Sequence, residues 1–276
     1  MNMLTQFRHS GRDISYLDVV GPGPSQPQTL LLLHAFPLAA EMWQPQLESV
    51  PAGWRFIAPD LRGFGSSSPG DPAAPPSVGD YEEDVVALLD HLALDSVVLG
   101  GLSMGGYGAF AVLRRAPHRV RGLVLADTRA EADGEVARAS RDGMLETLAI
   151  GGAAAVFERM RPGLLGVTTR ASRPAVVERV RQLALAQTDV GIRRGIQRLK
   201  TRPDSTALLS RLTCPAIVIV GEEDEITGVD DARRMHRQIA GADLAIISRA
   251  GHLSNLEHPE EFTAALARFL ATRFAP

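Results

Sequence analysis

The segment Gly101-Leu102-Ser103-Met104-Gly105-Gly106 follows an apolar run ending at Leu99 and precedes a helical stretch from Tyr107 to Arg115. A serine on so tight a strand-to-helix turn is held in a strained backbone conformation, and the residues two places to either side must be small for the chains to pass. Gly101 and Gly105 meet that need. The turn also aims the amide of Met104 and the helix N-terminus at the serine oxygen, where negative charge develops in acyl transfer. A hydroxyl is a weak nucleophile near neutral pH, so Ser103 needs a histidine base held by a carboxylate.

Seven histidines are available. His252, in Ala250-Gly-His-Leu-Ser254, comes just after the apolar run Leu244 to Ile247. It therefore falls at the C-terminal edge of a parallel sheet, where strand ends gather functional groups. His9, His91, His118 and His236 read as surface residues near the N-terminus or on helices. His258 precedes Pro259 and opens the last helix. The spacing of 252 and 258 puts no two ligands on one face, so no metal site is expected.

The acid should also stand at a strand end. Gly221-Glu-Glu-Asp-Glu225 follows the run Ala216 to Val220 and offers Asp224, with Asp127, after the run ending at Ala126, as competitor. The order Ser103, Asp224, His252 follows the nucleophile, acid, base order of one hydrolase architecture and favours Asp224. In Leu33-His34-Ala35-Phe36-Pro37, the amide of Phe36 is the candidate second oxyanion donor, since Pro37 has no N–H. His34 reads as a structural support of that loop, and Asp60 to Ser67, with its tandem glycines, as a hydrogen-bonded turn.

The elements that must position these groups are visible as short apolar runs: Thr29 to Leu33, Trp54 to Ala58, Ser96 to Leu99, Val120 to Ala126, Ala216 to Val220 and Leu244 to Ile247. Such runs suit strands buried on both faces. Helical spacing appears between them, as in Tyr81 to Leu92 and Phe262 to Phe274. Strand alternating with helix predicts a mostly parallel sheet flanked by helices. Met3 to Arg8 and Asp13 to Val20 suggest an antiparallel pair turning near Gly11.

From about Arg129 to Arg211 strand-like runs are missing, and helices are expected over Glu135 to Leu148, Ala153 to Met160, Pro174 to Gln187 and Val190 to Thr201. This stretch reads as a helical insertion at 129–211, with the core domain formed by 1–128 and 212–276. It carries fifteen basic and nine acidic residues. The surplus reads first as solvated helix faces, and otherwise as a cleft that favours anionic ligands.

The 276 residues hold 29 basic and 32 acidic side chains, for a net charge of −3, with 45% hydrophobic and 22% charged. Bulk charge therefore disfavours nucleic acid as a partner. No apolar run reaches the roughly 18 residues that a membrane span requires. A chain of this length needs no disulfide staple, and its one cysteine, Cys214, cannot form one internally. Cys214 sits before Pro215 and an apolar run, which suggests a buried, inert thiol. Arg8, His9 and Arg12 interrupt the N-terminus before any apolar core of signal-peptide length. The expectation is a cytoplasmic monomer or homodimer with no membrane partner.

Taken together, these residues resemble the α/β-hydrolase superfamily over essentially the whole chain. The resemblance rests on His34-Ala35-Phe36-Pro37, Asp60 to Ser67, the elbow Gly101 to Gly105, Gly221 to Asp224 and Gly251-His252, five motifs in the family's order. It implies Ser103 as nucleophile, His252 as base, Asp224 as its partner, and the amides of Phe36 and Met104 as oxyanion hole. It also implies a helical cap at 129–211; Leu145, Phe157, Met160, Leu164 and Leu165 read equally as walls of the substrate pocket or as packing between cap helices, and Leu253 as a pocket residue. Ala35 stands where glycine is usual, and Ile226-Thr-Gly-Val where Thr-Pro is common.

Ser103 separates the chain from relatives that attack with aspartate, the haloalkane dehalogenases and epoxide hydrolases. Gly-Leu-Ser-Met-Gly-Gly with His252-Leu-Ser-Asn-Leu-Glu257 is most similar to 3-oxoadipate enol-lactonases and carboxylesterases. The resemblance thus implies hydrolysis of a small, partly apolar ester or lactone, without a cofactor. The same triad could instead serve carbon–carbon bond hydrolysis or perhydrolysis, or survive in a slow ligand sensor.

Overall fold

The computed structural model describes residues 4–275. Its strands are β1 (Thr5–His9), β2 (Arg12–Val20), β3 (Gln28–Leu33), β4 (Trp54–Pro59), β5 (Val97–Leu102), β6 (Val120–Ala126), β7 (Ala216–Gly221) and β8 (Asp243–Ile247). They form one eight-stranded sheet of order β1-β2-β4-β3-β5-β6-β7-β8. β2 runs antiparallel to both neighbours, and every pair from β4 to β8 is parallel. The β1–β2 hairpin closes at Gly11, with His9 opposite Arg12; Met3, proposed as its start, lies outside the described residues.

The helices are α1 (Gln44–Leu47), α2 (Gly79–His91), α3 (Met104–Arg115), α4 (Glu135–Leu164), α5 (Val167–Ser172), α6 (Pro174–Leu185), α7 (Asp189–Thr201), α8 (Thr206–Leu209), α9 (Val229–Gln238), α10 (Ser254–Glu257) and α11 (Pro259–Arg273). Side chains alternate across the central strands, because successive Cβ atoms of a strand point to opposite faces. Leu31, Leu33, Leu99 and Val218 join α2, α3 and α9 in one hydrophobic cluster. Leu30, Leu32, Val98 and Ile217 join α11 in the other. Each such buried side chain contributes about 2 kcal/mol of transfer free energy.

Two expectations need correction. The strand placed at Ser96 to Leu99 runs on to Leu102, because Gly100 and Gly101 continue the pairing with β3 and β6. At Gly100 a Cβ would lie 2.7 Å from Leu32 Cδ2, so the closeness of the neighbouring strand selects glycine there. The two helices expected at Glu135 to Leu148 and Ala153 to Met160 are both present within α4, on either side of a kink where Gly151 and Gly152 leave helical geometry. β8 is only partly buried, since it forms the sheet edge.

The helices between β6 and β7 do not keep a core to themselves. Met144, Leu148, Ile192 and Ile196 join the first cluster, and Phe157, Leu164, Leu165 and Leu183 the second. Among the described residues no helix is long and apolar enough to cross a membrane.

Candidate active site

Ser103 occupies the turn between β5 and α3 with φ 54° and ψ −112°, a backbone conformation that is unfavourable for a residue bearing a Cβ. The surroundings leave it little choice. A Cβ on Gly101 would lie 2.2 Å from the Gly105 carbonyl carbon, and one on Gly105 would lie 2.2 Å from the Leu33 carbonyl oxygen. α3 is thus pressed against β3 and β5 so closely that Ser103 must stand out of the turn. Its amide donates to the Ala126 carbonyl at 3.0 Å, and its carbonyl accepts the Thr128 hydroxyl at 2.9 Å. The side chain lies 2.8 Å from His252 Nε2.

His252 comes from the loop after β8, and its Nδ1–H donates to Asp224 Oδ2 at 2.8 Å. That bond fixes the tautomer and leaves Nε2 free to accept the Ser103 proton. Asp224 stands after β7, and its other oxygen accepts the amides of Ile226 at 2.8 Å and Thr227 at 3.0 Å. Burial works against its ionisation, but the His252 charge and hydrogen bond, with the two amides, outweigh burial and hold the carboxyl below its ordinary range. Thr227 also donates its hydroxyl to Asp224 Oδ2 at 2.8 Å, while lying 3.2 Å from His252 Nδ1. The sequence reading missed this residue, although a hydroxyl three positions past the acid was the available signal.

Asp127 makes no hydrogen bond to His252, whose Nδ1 is taken by Asp224. It accepts the Gly221 amide at 2.7 Å and the Ser254 hydroxyl, so it ties β7 to α10. Burial, then the charge of Asp224, pushes its pKa well above the usual carboxylate range. Two carboxyls sharing a buried region cannot both ionise cheaply, and Asp127 is the one kept neutral.

In the loop after β3, His34 Nδ1–H donates to the Ala35 carbonyl at 2.9 Å, and Nε2 accepts the Leu61 amide at 2.9 Å. Burial lowers its pKa to about 4, so it is a neutral strut. The Asp60 carboxyl receives the amides of Ala40 and Ser66, each at 2.9 Å, which closes the expected turn. Neither the Phe36 amide nor the Met104 amide donates to an acceptor among the described residues. Cys214 is half-buried rather than enclosed, and burial pushes its thiol pKa up.

A cavity of about 320 Å³ opens over Ser103 and His252. Met160 lines it, but Leu145, Phe157, Leu164, Leu165 and Leu253 do not. Leu145 packs against the hydrophobic core while Met144 faces the cavity, because one step along a helix rotates the side chain by about 100°. The other four are fully or almost fully buried in the second cluster. The rest of the apolar wall includes Phe36, Tyr107, Ala137, Leu199 and Ile226.

The cavity lining also holds Arg129, Arg141 and Arg159, and no aspartate or glutamate. Arg141 and Arg202 share Asp133 at 3.0 and 2.6 Å, with Arg129 at 3.6 Å. Burial opposes ionisation of Asp133, but the charges of Arg141 and Arg202 prevail and hold its pKa down. Among the described residues, Arg159 bonds only the Gly143 carbonyl and the Thr147 hydroxyl, at 2.7 and 2.8 Å. Asp133 thus serves Arg129, Arg141 and Arg202, Arg159 has no carboxylate partner among the described residues, and this wall carries a positive excess.

A family model described as alpha/beta hydrolase fold matches residues 28–259. A protein named 3-oxoadipate enol-lactonase from Acinetobacter baylyi is 29% identical over 249 residues, covering 88% of this chain and 89% of that one. A thermophilic esterase from Thermogutta terrifontis, solved with malate bound, is 35% identical, covers 99% of this chain and 98% of its own, and has a TM-score of 0.88. An enol-lactonase structure from Burkholderia xenovorans, 23% identical, covers 97% of this chain and 100% of its own with a TM-score of 0.86, which speaks to the fold.

Proposed function

The chain belongs to the α/β-hydrolase-fold family, and from that premise we propose that it cleaves a small carboxylic ester or lactone through an acyl-enzyme on Ser103. Its enzyme class is carboxylic ester hydrolase, in keeping with the esterases and lactonases it is similar to. The observation that carries the serine mechanism is the relay in which His252 Nε2 stands 2.8 Å from Ser103 Oγ and Nδ1 stands 2.8 Å from Asp224 Oδ2.

In this reading His252 takes the Ser103 proton as Oγ attacks the carbonyl carbon. The oxyanion rests on the amides of Phe36 and Met104, and His252 then protonates the leaving alcohol. Water deprotonated by the same imidazole attacks the acyl-enzyme, and the acid leaves with Ser103 restored. One oxyanion donor is worth about 3 kcal/mol in such sites. Residues 129–211 act as the cap over a core built from 1–128 and 212–276, and the substrate enters between them.

Phe36, Met144, Met160 and Ile226 suit a short apolar chain, while Arg129, Arg141 and Arg159 favour an anionic group on the same substrate. A carboxylate there would pair with Arg159, which has no carboxylate partner among the described residues, and with Arg129 and Arg141, which share Asp133.

The test is a panel of p-nitrophenyl esters of rising acyl length together with an enol-lactone, run on the native enzyme and on Ser103→Ala. Short acyl chains should turn over, and Ser103→Ala should lower kcat by a factor on the order of 10³ or more. Activity that survives the alanine would overturn the mechanism.

A further inference from the structure

Glu257 is fully buried and, among the described residues, forms no ion pair. Its carboxyl instead collects three backbone amides. Oε1 accepts Gly251 at 3.0 Å and Leu253 at 3.2 Å, the residues immediately before and after His252. Oε2 accepts Gly166 at 2.8 Å, in the strap that joins α4 to α5. One side chain therefore grips the histidine loop on both sides and, with its other oxygen, the cap.

The strap and the loop also touch directly. A Cβ on Gly251 would lie 2.2 Å from the Gly166 nitrogen, and a Cβ on Gly166 would lie 2.9 Å from the Gly251 nitrogen and 2.4 Å from Glu223 Oε2. Glu223, beside Asp224, holds the first turn of α5, just past the strap, by accepting the Thr168 amide at 2.9 Å. Its own amide donates to the Ala250 carbonyl at 2.7 Å, which links the acid loop to the base loop. Leu165 and Leu253 are buried in the same cluster. Arg173, at the end of α5, donates to the Glu257 carbonyl.

We infer that Glu257 is a positioning residue whose two carboxyl oxygens bind the backbone around His252 and the cap strap at Gly166 into one unit, so that lifting the strap misaligns His252. This rests on His252 being the base. The side chain itself touches neither Ser103 nor the space above it. It acts through the backbone that carries the imidazole, and a shift of about 1 Å in a reacting group can cost up to 10²-fold in rate.

Two variants approach the unit from opposite sides. Glu257→Gln must turn an NH₂ toward at least one backbone N–H, and Gly166→Ala pushes the strap away without altering Glu257. For each, kcat and KM for a short p-nitrophenyl ester, the pH profile of kcat/KM, the melting temperature, and amide hydrogen exchange over 164–168 and 250–254 are measured.

The expected result is a loss in kcat of about tenfold or more with KM within about threefold. The acidic limb of the profile should move, and exchange should quicken in both segments together, in both variants. The inference is overturned if melting falls while kcat and the pH limb stay put, since that is a structural role alone. It is equally overturned if exchange quickens in one segment only. Should Glu257→Gln fail to fold, an unchanged kcat in Gly166→Ala is sufficient to reject the coupling. A native enzyme whose ester turnover ignores Ser103→Ala refutes the serine mechanism instead, and paired exchange then still reports on the clasp.

Discussion

The ends of β6 and β7 each place an aspartate within the same buried region, and the two are driven in opposite directions. Asp224 after β7 meets two amides, a hydroxyl and an imidazole N–H, and is held ionised. Asp127 after β6 meets one amide and one hydroxyl, faces the charge of Asp224, and is held neutral. Burial is common to both, so burial does not assign the role. The donors supplied by each loop do, and the β7 loop supplies more of them.

The comparison breaks most directly at Asp224→Asn, which should lower kcat on the order of 10³–10⁴-fold by presenting the wrong hydrogen to Nδ1. Steady-state kinetics with a short ester measures it. A loss under about tenfold would mean that the β7 end is no more important than the β6 end.

His34 extends the contrast to a buried base kept neutral. Its folded pKa of about 4 lies below the ordinary 6.5, so the unfolded chain binds the extra proton between those values. Stability should therefore fall as pH drops from about 6.5 to 4, by about 3 kcal/mol from this group. Urea unfolding across that range should show the slope in the native protein and a shallower one in His34→Gln. Equal slopes would remove the assignment.

Arg129, two residues past Asp127, asks whether the β6 end serves the substrate rather than the triad. Arg129→Met should lower kcat/KM about 10- to 100-fold, mainly through KM, for the p-nitrophenyl monoester of a dicarboxylic acid. A neutral ester of equal length should change by less than about threefold. Parallel losses on both would deny an anion-binding wall.

The smallest expected effect is at Asp127→Asn, which keeps an acceptor for Gly221 and turns an NH₂ toward Ser254, whose hydroxyl can accept it. Its kcat should stay within about threefold of native. Because the folded Asp127 holds a proton that the unfolded chain releases, its contribution to stability declines as pH rises above the ordinary carboxylate range. The asparagine should therefore melt higher than the native protein at pH 8 and lose that decline, as thermal melts across pH will show.

Much of this was legible because local rules are strong. Buried parallel strands read as unbroken apolar runs, and all six parallel-sheet runs proposed from sequence appear as strands, with ends shifted where Gly100 and Gly101 extend β5. Glycines around Ser103 follow from backbone contacts that admit no side chain. The cavity wall was less legible. Hydrophobicity marks Leu145 and Met144 alike, and only the rotation of α4 against the sheet decides which one faces the cavity.

By itself, the sequence determined the order of strands and helices, the strained serine turn and the short list of acids and bases, because each depends on neighbours within a few residues. Chain order already favoured Asp224 over Asp127, but the donors that separate the two, the hydroxyl of Thr227, the arginines gathered on one carboxylate and the clasp of Glu257 were decided by tertiary structure. Each depends on how many donors reach a buried group from distant loops, a quantity that spacing along the chain does not encode.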